Sequence, residues 1–347
     1  MNNLLELDYR QLRAWLESAG EPRFRAQQIW SWIWAKGACE FRDMTNVSKG
    51  LRRRLEESWT IRPPRIHTAK TSRDGTVKFL LRLEDDSLIE SVLIPEKEKM
   101  TQCLSSQVGC PMGCTFCSTG KMGFVRNMRA GEIAGQVLAA RNYMQKHLPE
   151  KRLTNFVFMG MGDPLLNWEE MKKALTIFHH PLGLDISRRR ITVSTVGFPG
   201  LISGLGKSDS ALLAVSLHAP TQELRRELMP RAAGFELRDL LQELKRFPLR
   251  PRERVTIEYL LIQDKNDSPE HARLLAKILD GLKCKVNLIA YNPAGDSDHF
   301  QRPNKDRVLT FEKILWSKGL TATLRKSKGL DINAACGQLK AETPPGA

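Results

Sequence analysis

From about residue 100 onward, short apolar runs alternate with amphipathic segments, and this alternation restricts the chain to few folds. Segments 155–159, 190–194, 212–217, 255–261, 285–289 and 321–325 have the length and branched apolar content of strands. Helical periodicity lies around 130–146, 168–179, 221–229, 236–246, 268–281 and 306–318. Strands alternating with helices build parallel βαβ units, so an α/β barrel or a doubly wound sheet is expected. No internal repeat or low-complexity tract interrupts the pattern, and a short polar tail follows Lys340.

The first hundred residues follow a different pattern. Helices are expected over 4–19, 24–36 and 46–59, the first ending at Gly20 and Pro22. In the second, Ile29, Trp30, Ile33 and Trp34 fall on one side, which reads as core although tryptophans also stack on bases. The Arg52-Arg53-Arg54 run in the third is either a solvated face or a phosphate contact. After Pro63-Pro64, strands are expected at 66–71, 77–83 and 88–94, joined by turns at Asp74-Gly75 and Asp85-Asp86.

Charge and hydropathy narrow the class. Lys+Arg total 54 against 39 Asp+Glu, a net charge of +15, which suits a polyanionic partner such as nucleic acid or a passive basic surface. No apolar run approaches the roughly 18 residues of a membrane helix, and Glu6 and Asp8 stand where a signal peptide needs an apolar stretch. A cytoplasmic protein without membrane contact is expected.

Four of the seven cysteines crowd into residues 103–117, and three form Cys110-Pro-Met-Gly-Cys114-Thr-Phe-Cys117. An odd count in a reducing compartment argues for ligation or catalysis rather than a disulfide framework. The CxxxCxxC spacing puts three thiolates on one tight loop. A zinc site would want a fourth ligand from a second pair, and the chain has none. Three cysteines suit a [4Fe–4S] cluster with one iron left open to a substrate or cofactor.

With its aromatic Phe116, this motif resembles the radical S-adenosylmethionine (SAM) enzymes. The longer string CLSSQVGCPMGCTFCSTGKMGFVRN is similar to the rRNA adenine-C2 methyltransferases of the RlmN type and their C8-methylating Cfr relatives. GMGDPLLN (160–167), SLH (216–218), NLIAYNP (287–293) and DINAACGQL (331–339) extend the likeness over roughly residues 88–340.

The resemblance implies an α/β fold: a partial (βα)6 radical-SAM barrel over 98–340 with an N-terminal α+β accessory domain. That accessory part comprises a helical unit at 1–62 and a β extension at 63–97, and a polar tail occupies 341–347. Cys110, Cys114 and Cys117 are then the ligands of one [4Fe–4S] cluster. Gly162, Asp163, Ser194, Ser216, Leu217, His218 and Asn292 are the contacts of SAM. Asp163 stands where the family has Glu, so its carboxylate arm is one methylene shorter. Read alone, His218 is a hydrogen-bonded core histidine and Asn292-Pro293 a turn.

The implied chemistry uses two equivalents of SAM. Cys336 is methylated, its S-methyl carbon is joined to C2 of adenine, and Cys103 releases the product by forming a transient disulfide. Glu90 accepts the proton, although in LIESVLI alone it reads as solvent-facing. The implied substrates are 23S rRNA at the peptidyl-transferase centre and tRNA at the adenosine 3′ of the anticodon. A low-potential donor such as flavodoxin or ferredoxin and a monomeric state are also implied. Arg126, Arg129, Arg188, Arg189 and Arg190 are candidate phosphate contacts, while Cys39 and Cys284 read as buried packers. Cfr-type C8 methylation is the alternative within this chemistry. A non-catalytic RNA-binding metalloprotein is the alternative outside it.

Overall fold

A computed structural model describes residues 2–293 and 299–341. Ten strands form one sheet whose spatial order is the chain order. They are β1 (Arg65–Thr71), β2 (Val77–Arg82), β3 (Leu88–Glu96), β4 (Lys99–Cys103) and β5 (Arg152–Phe158), followed by β6 (Ile191–Thr195), β7 (Leu212–Ser216), β8 (Val255–Leu261), β9 (Cys284–Ala290) and β10 (Ala322–Arg325). The first three pairings are antiparallel. The other six are parallel. Helices Ala130–His147, Trp168–His179, Ile202–Ser208, Gln222–Leu228 with Leu237–Arg246, Pro269–Ile278 and Lys305–Ser317 carry the six crossovers. Among the described residues β10 pairs only with β9, so the parallel half is a partial (βα)6 barrel.

Physical causes account for the regular elements. β8 lies between β7 and β9 and is buried at all seven positions, which explains why five of its seven residues are apolar on both faces, Thr256 and Glu258 being the exceptions. Helix Leu237–Arg246 buries Leu237, Leu240 and Leu244 along one stripe. Two of the elements that the sequence expectations missed belong to the main sheet and its crossovers. Strand β4 (KMTQC) is polar in composition, yet β3 and β5 enclose it and bury Met100, Gln102 and Cys103. It heads the barrel and makes the β extension continuous with it. Helix Ile202–Ser208 carries two glycines, which weaken its helical signal.

In the N-terminal unit, Leu4–Glu6 is a 3-10 turn, and the first helix, Tyr9–Ser18, starts only after Asp8. Asp8 and Gln11 cap it reciprocally. Helix Phe24–Trp30 continues as a π turn over Ser31–Ala35, and Trp30 and Trp34 are buried core residues. Helix Lys49–Ser58 is shorter than expected because Ser48 caps it. Arg52 donates to the Arg42 carbonyl, and Arg54 to the Ala19 carbonyl and Glu21, so both tie local loops together.

This unit meets the barrel at the N-terminus of helix Ala130–His147. The exposed amide ends there each find a carboxylate: Arg129 N donates to Glu132 (2.8 Å), Ala130 N to Glu170 (2.8 Å) and Gly131 N to Glu6 (3.1 Å). Burial pushes the Glu6 carboxyl up to about 7 despite the Gly131 amide and the Arg129 charge. Its folded pKa lies above the unfolded value, so the native state holds the extra proton and stability falls as pH rises from about 4.5 to about 7. Glu6→Gln keeps the acceptor without the charge. Its thermal midpoint should exceed wild type by about 2–5 °C at pH 8 and match it at pH 5.

None of the helices in the described residues is long and apolar enough to cross a membrane. Of the expected polar tail, 342–347 lies outside the described residues.

Candidate active site

Beyond β4 the chain builds the cysteine loop. A short antiparallel ladder, Gln107–Gly109 with Phe124–Asn127, closes its base, and Cys110 N donates to the Gly123 carbonyl at 2.8 Å. Gly109 has φ +73°, and a Cβ there would sit 2.0 Å from the Gly123 oxygen, so this crossing requires glycine. Cys117 N closes a turn onto the Cys114 carbonyl (3.1 Å) before helix Ser118–Met122.

All three thiols line one cavity of about 870 Å³, part of it open to solvent. Burial pushes Cys110 up to about 12 and raises Cys114 and Cys117, and each thiol repels at least one of the others. Arg225 opposes this. Its guanidinium is fully buried, donates to the Val196 (2.6 Å) and Leu217 (3.2 Å) carbonyls, and acts electrostatically on Cys114.

The opposite wall comes from strand ends and the turns after them. Gly160, Gly162 and Asp163 follow β5. Ser194 and Thr195 end β6, Ser216 ends β7, and His218 follows it. Gly162 has φ +92°, and a Cβ would meet Gln107 at 2.5 Å. His218 also has a left-handed backbone (φ +56°). Its Nδ1 accepts from Leu260 N at 3.0 Å, its ring packs edge-on to Phe116, and burial pushes its pKa down to about 3. It is therefore a neutral ring, both hydrogen-bonded and cavity-lining.

The shorter arm of Asp163 serves the wall itself. Thr195 Oγ1 donates to both its oxygens (3.0 and 2.9 Å), Val196 N to Oδ2 (2.8 Å) and Leu165 N to Oδ1 (3.0 Å). Burial nevertheless holds its carboxyl up at about 6. Two expected cofactor contacts are not among the residues that line this cavity. The Leu217 side chain is buried outside it, and the Asn292 amide is engaged by Ser327 (3.0 Å) and Arg302 (2.7 Å).

Cys336 lines this cavity and also a second one of about 640 Å³, together with Cys103, Arg325, Lys326, Ser327 and Lys328. The segment bearing Cys336 is gripped from two sides. Asp331 accepts from Ser72 Oγ (2.5 Å), Gly329 N donates to Asp74 (3.0 Å), and Lys78 reaches the Asn333 carbonyl (3.2 Å). From the cysteine loop, Ser118 N donates to the Gly337 carbonyl (2.8 Å) and Thr119 Oγ1 to the Leu339 carbonyl (2.6 Å).

Glu90 belongs to the same clasp and is not solvent-facing. It is 4% exposed, pairs with Lys78 Nζ at 3.0 Å and accepts from Lys340 N at 2.8 Å. The alternating pattern of β3 reads as one-sided because the returning C-terminal segment, about 250 residues away, covers its second face. Burial pushes the Cys103 thiol up to about 12, against the pull of Arg325.

Sequence reasoning missed Arg225, Glu258, Arg325, Thr195 and Lys78. A position at the C-terminal end of a barrel strand was the available signal for Arg325. The buried pairs give none. Three candidate phosphate contacts are engaged elsewhere: Arg126 by Asp85 and Glu132, Arg129 by Glu6, Glu84 and Glu132, and Arg188 by Asp209 and Glu253. Cys284 is buried, whereas Cys39 is half-exposed beside Asn142.

The donor set fits an iron–sulfur cluster. Three soft sulfur donors face one space among Met112, Phe116 and Leu260, and their raised proton affinities call for a cation to take up thiolate charge. Among the described residues no group of three or more His, Cys, Asp or Glu is set as ligands of one metal ion.

The partial barrel, the three-cysteine loop and the strand-end cavity define a radical SAM enzyme, a class that implies a [4Fe–4S] cluster and SAM. The radical SAM superfamily model matches residues 104–276, and that of the ribosomal RNA large subunit methyltransferase N-terminal domain matches 2–61. The chain is 54% identical to the dual-specificity RNA methyltransferase RlmN of Nitratidesulfovibrio vulgaris strain Miyazaki F, over 98% of this chain and 95% of that protein. The RlmN of Marinobacter nauticus is 45% identical over 97% and 92%. The crystal structure of a radical SAM methyltransferase from Sphaerobacter thermophilus superposes with a TM-score of 0.93 at 41% identity, covering 99% of this chain and all of that one. The chain belongs to the RlmN family of radical SAM RNA methyltransferases.

Proposed function

We propose that the protein methylates C2 of adenine in 23S rRNA and in tRNA through a carbon carried on Cys336. The observation that carries this reading is the place of Cys336, which lines both cavities, with the cluster cysteines on one side and Cys103 on the other. C2 of adenine is electron-poor, so polar methylation by a nucleophilic ring carbon is unfavourable there.

Cys110, Cys114 and Cys117 would hold the cluster, and Gly162, Ser194, Ser216 and His218 would line the SAM site. When bound, these groups supply the methyl group and the one-electron chemistry that removes a hydrogen from it. Cys336 receives the methyl group on Sγ, and after loss of one hydrogen that carbon forms the bond to C2. Glu90, held by Lys78, would take the C2 proton, and the one electron that leaves the ring with it would return to the iron–sulfur cluster that Cys110, Cys114 and Cys117 would hold. The Cys103 thiolate then attacks Cys336 Sγ. The sulfur–sulfur bond forms, the carbon–sulfur bond breaks, and the released carbon keeps the electron pair and is protonated to a methyl group. External thiols restore both cysteines. Asp163 braces the wall, and Leu217 fills the core between Ser216 and His218. A flavodoxin or ferredoxin would deliver the electron to the monomeric enzyme in the cytoplasm.

Total 23S rRNA and tRNA digests from cells lacking the gene test the reading. 2-Methyladenosine should disappear from both and return with the wild-type gene. Persistence of 2-methyladenosine, or loss of 8-methyladenosine in its place, would contradict it.

A further inference from the structure

Arg325 ends β10 in register with Ile289, and this half-buried residue lines the second cavity with Cys103 and Cys336. A guanidinium carries five N–H donors in a planar fork. Among the described residues its one hydrogen bond is from Nη1 to the Met159 thioether at 3.7 Å, a weak acceptor, and no carboxylate pairs with it. Glu258 and the two thiols act on it only through their longer-range charge. A cation on a cavity wall with its fork unfilled is placed to receive acceptors from a ligand.

The ligand's chemistry supplies them. Adenine C2 lies between N1 and N3, both hydrogen-bond acceptors, so turning C2 toward Cys336 brings those nitrogens to the same wall. We propose that Arg325 orients the adenine by donating to the ring nitrogens that flank C2; this rests on the C2-methylation reading above. It is a substrate-positioning residue; its charge also acts on the Cys336 thiol, so the loading of Cys336 is read separately from product formation. Lys326 and Lys328 beside it line the same cavity and extend the positive charge toward the nucleotide's phosphates.

The test uses cluster-loaded Arg325→Met and wild-type enzyme, each with short RNA carrying adenosine, 1-deazaadenosine or 3-deazaadenosine at the target. Methylation of Cys336, read by peptide mass, should stay within about twofold of wild type, which also shows that the variant is folded and loaded. Formation of 2-methyladenosine should fall about 100-fold, as loss of charge-assisted hydrogen bonds in a confined site implies. At least one deaza substitution should slow wild type about tenfold more than it slows the variant, which isolates the contact from the intrinsic reactivity of the ring. Normal product formation by Arg325→Met, a parallel loss of Cys336 methylation, or equal deaza penalties in both enzymes would overturn the proposal. A wild-type enzyme that leaves C2 unmethylated defeats the underlying reading and this proposal with it.

Discussion

Replacing Cys336 by alanine should reduce RNA methylation to background while leaving iron content and fold intact. The side chain lines two cavities but makes no hydrogen bond that its segment depends on; backbone groups at Gly329, Gly337, Leu339 and Lys340 and the side chain of Asp331 hold that segment. Cys103→Ala should have a different phenotype. The bond to C2 still forms, but no thiol reaches Cys336 Sγ, so enzyme and RNA remain joined. Denaturing gels should show a slower band that nuclease removes and that Cys103→Ala/Cys336→Ala lacks. Turnover by Cys336→Ala, or a free Cys103→Ala protein after reaction, would remove the two-thiol chemistry.

The second large effect concerns the cysteine loop. Cys114 is buried, and its thiol resists ionisation more strongly than an exposed one. Its value to the protein lies in ligation, with the Arg225 guanidinium beside it as a fixed counter-charge. Cys114→Ala should lower iron from about four to below about one per chain after anaerobic reconstitution. The broad visible absorption of the cluster should be lost, and RNA methylation with it. Iron retained at the wild-type level would show that these cysteines are not the ligands.

The parts legible in the sequence are those whose physics is local. β8 announces itself because it is buried on both faces, and the cysteine loop because three thiols share eight residues. β4 does not, because neighbours, rather than its own composition, bury it. Glu90 looked exposed because its covering segment returns from the far end of the chain. Arg126 and Arg129 looked available to phosphate because their carboxylate partners include Glu6, Glu84 and Asp85, distant in sequence. Arg225 and Glu258 sit in an ordinary helix and an ordinary strand, and only their burial in the fold distinguishes them.

The most direct measurement uses SAM with a trideuterated methyl group, supplied to the reconstituted enzyme over many turnovers with unlabelled RNA. A methyl group that loses one hydrogen on Cys336 before it reaches C2, and gains one from solvent afterwards, leaves two deuterium atoms in 2-methyladenosine. A product that keeps all three would mean direct transfer to the ring and would contradict the role given to Cys336.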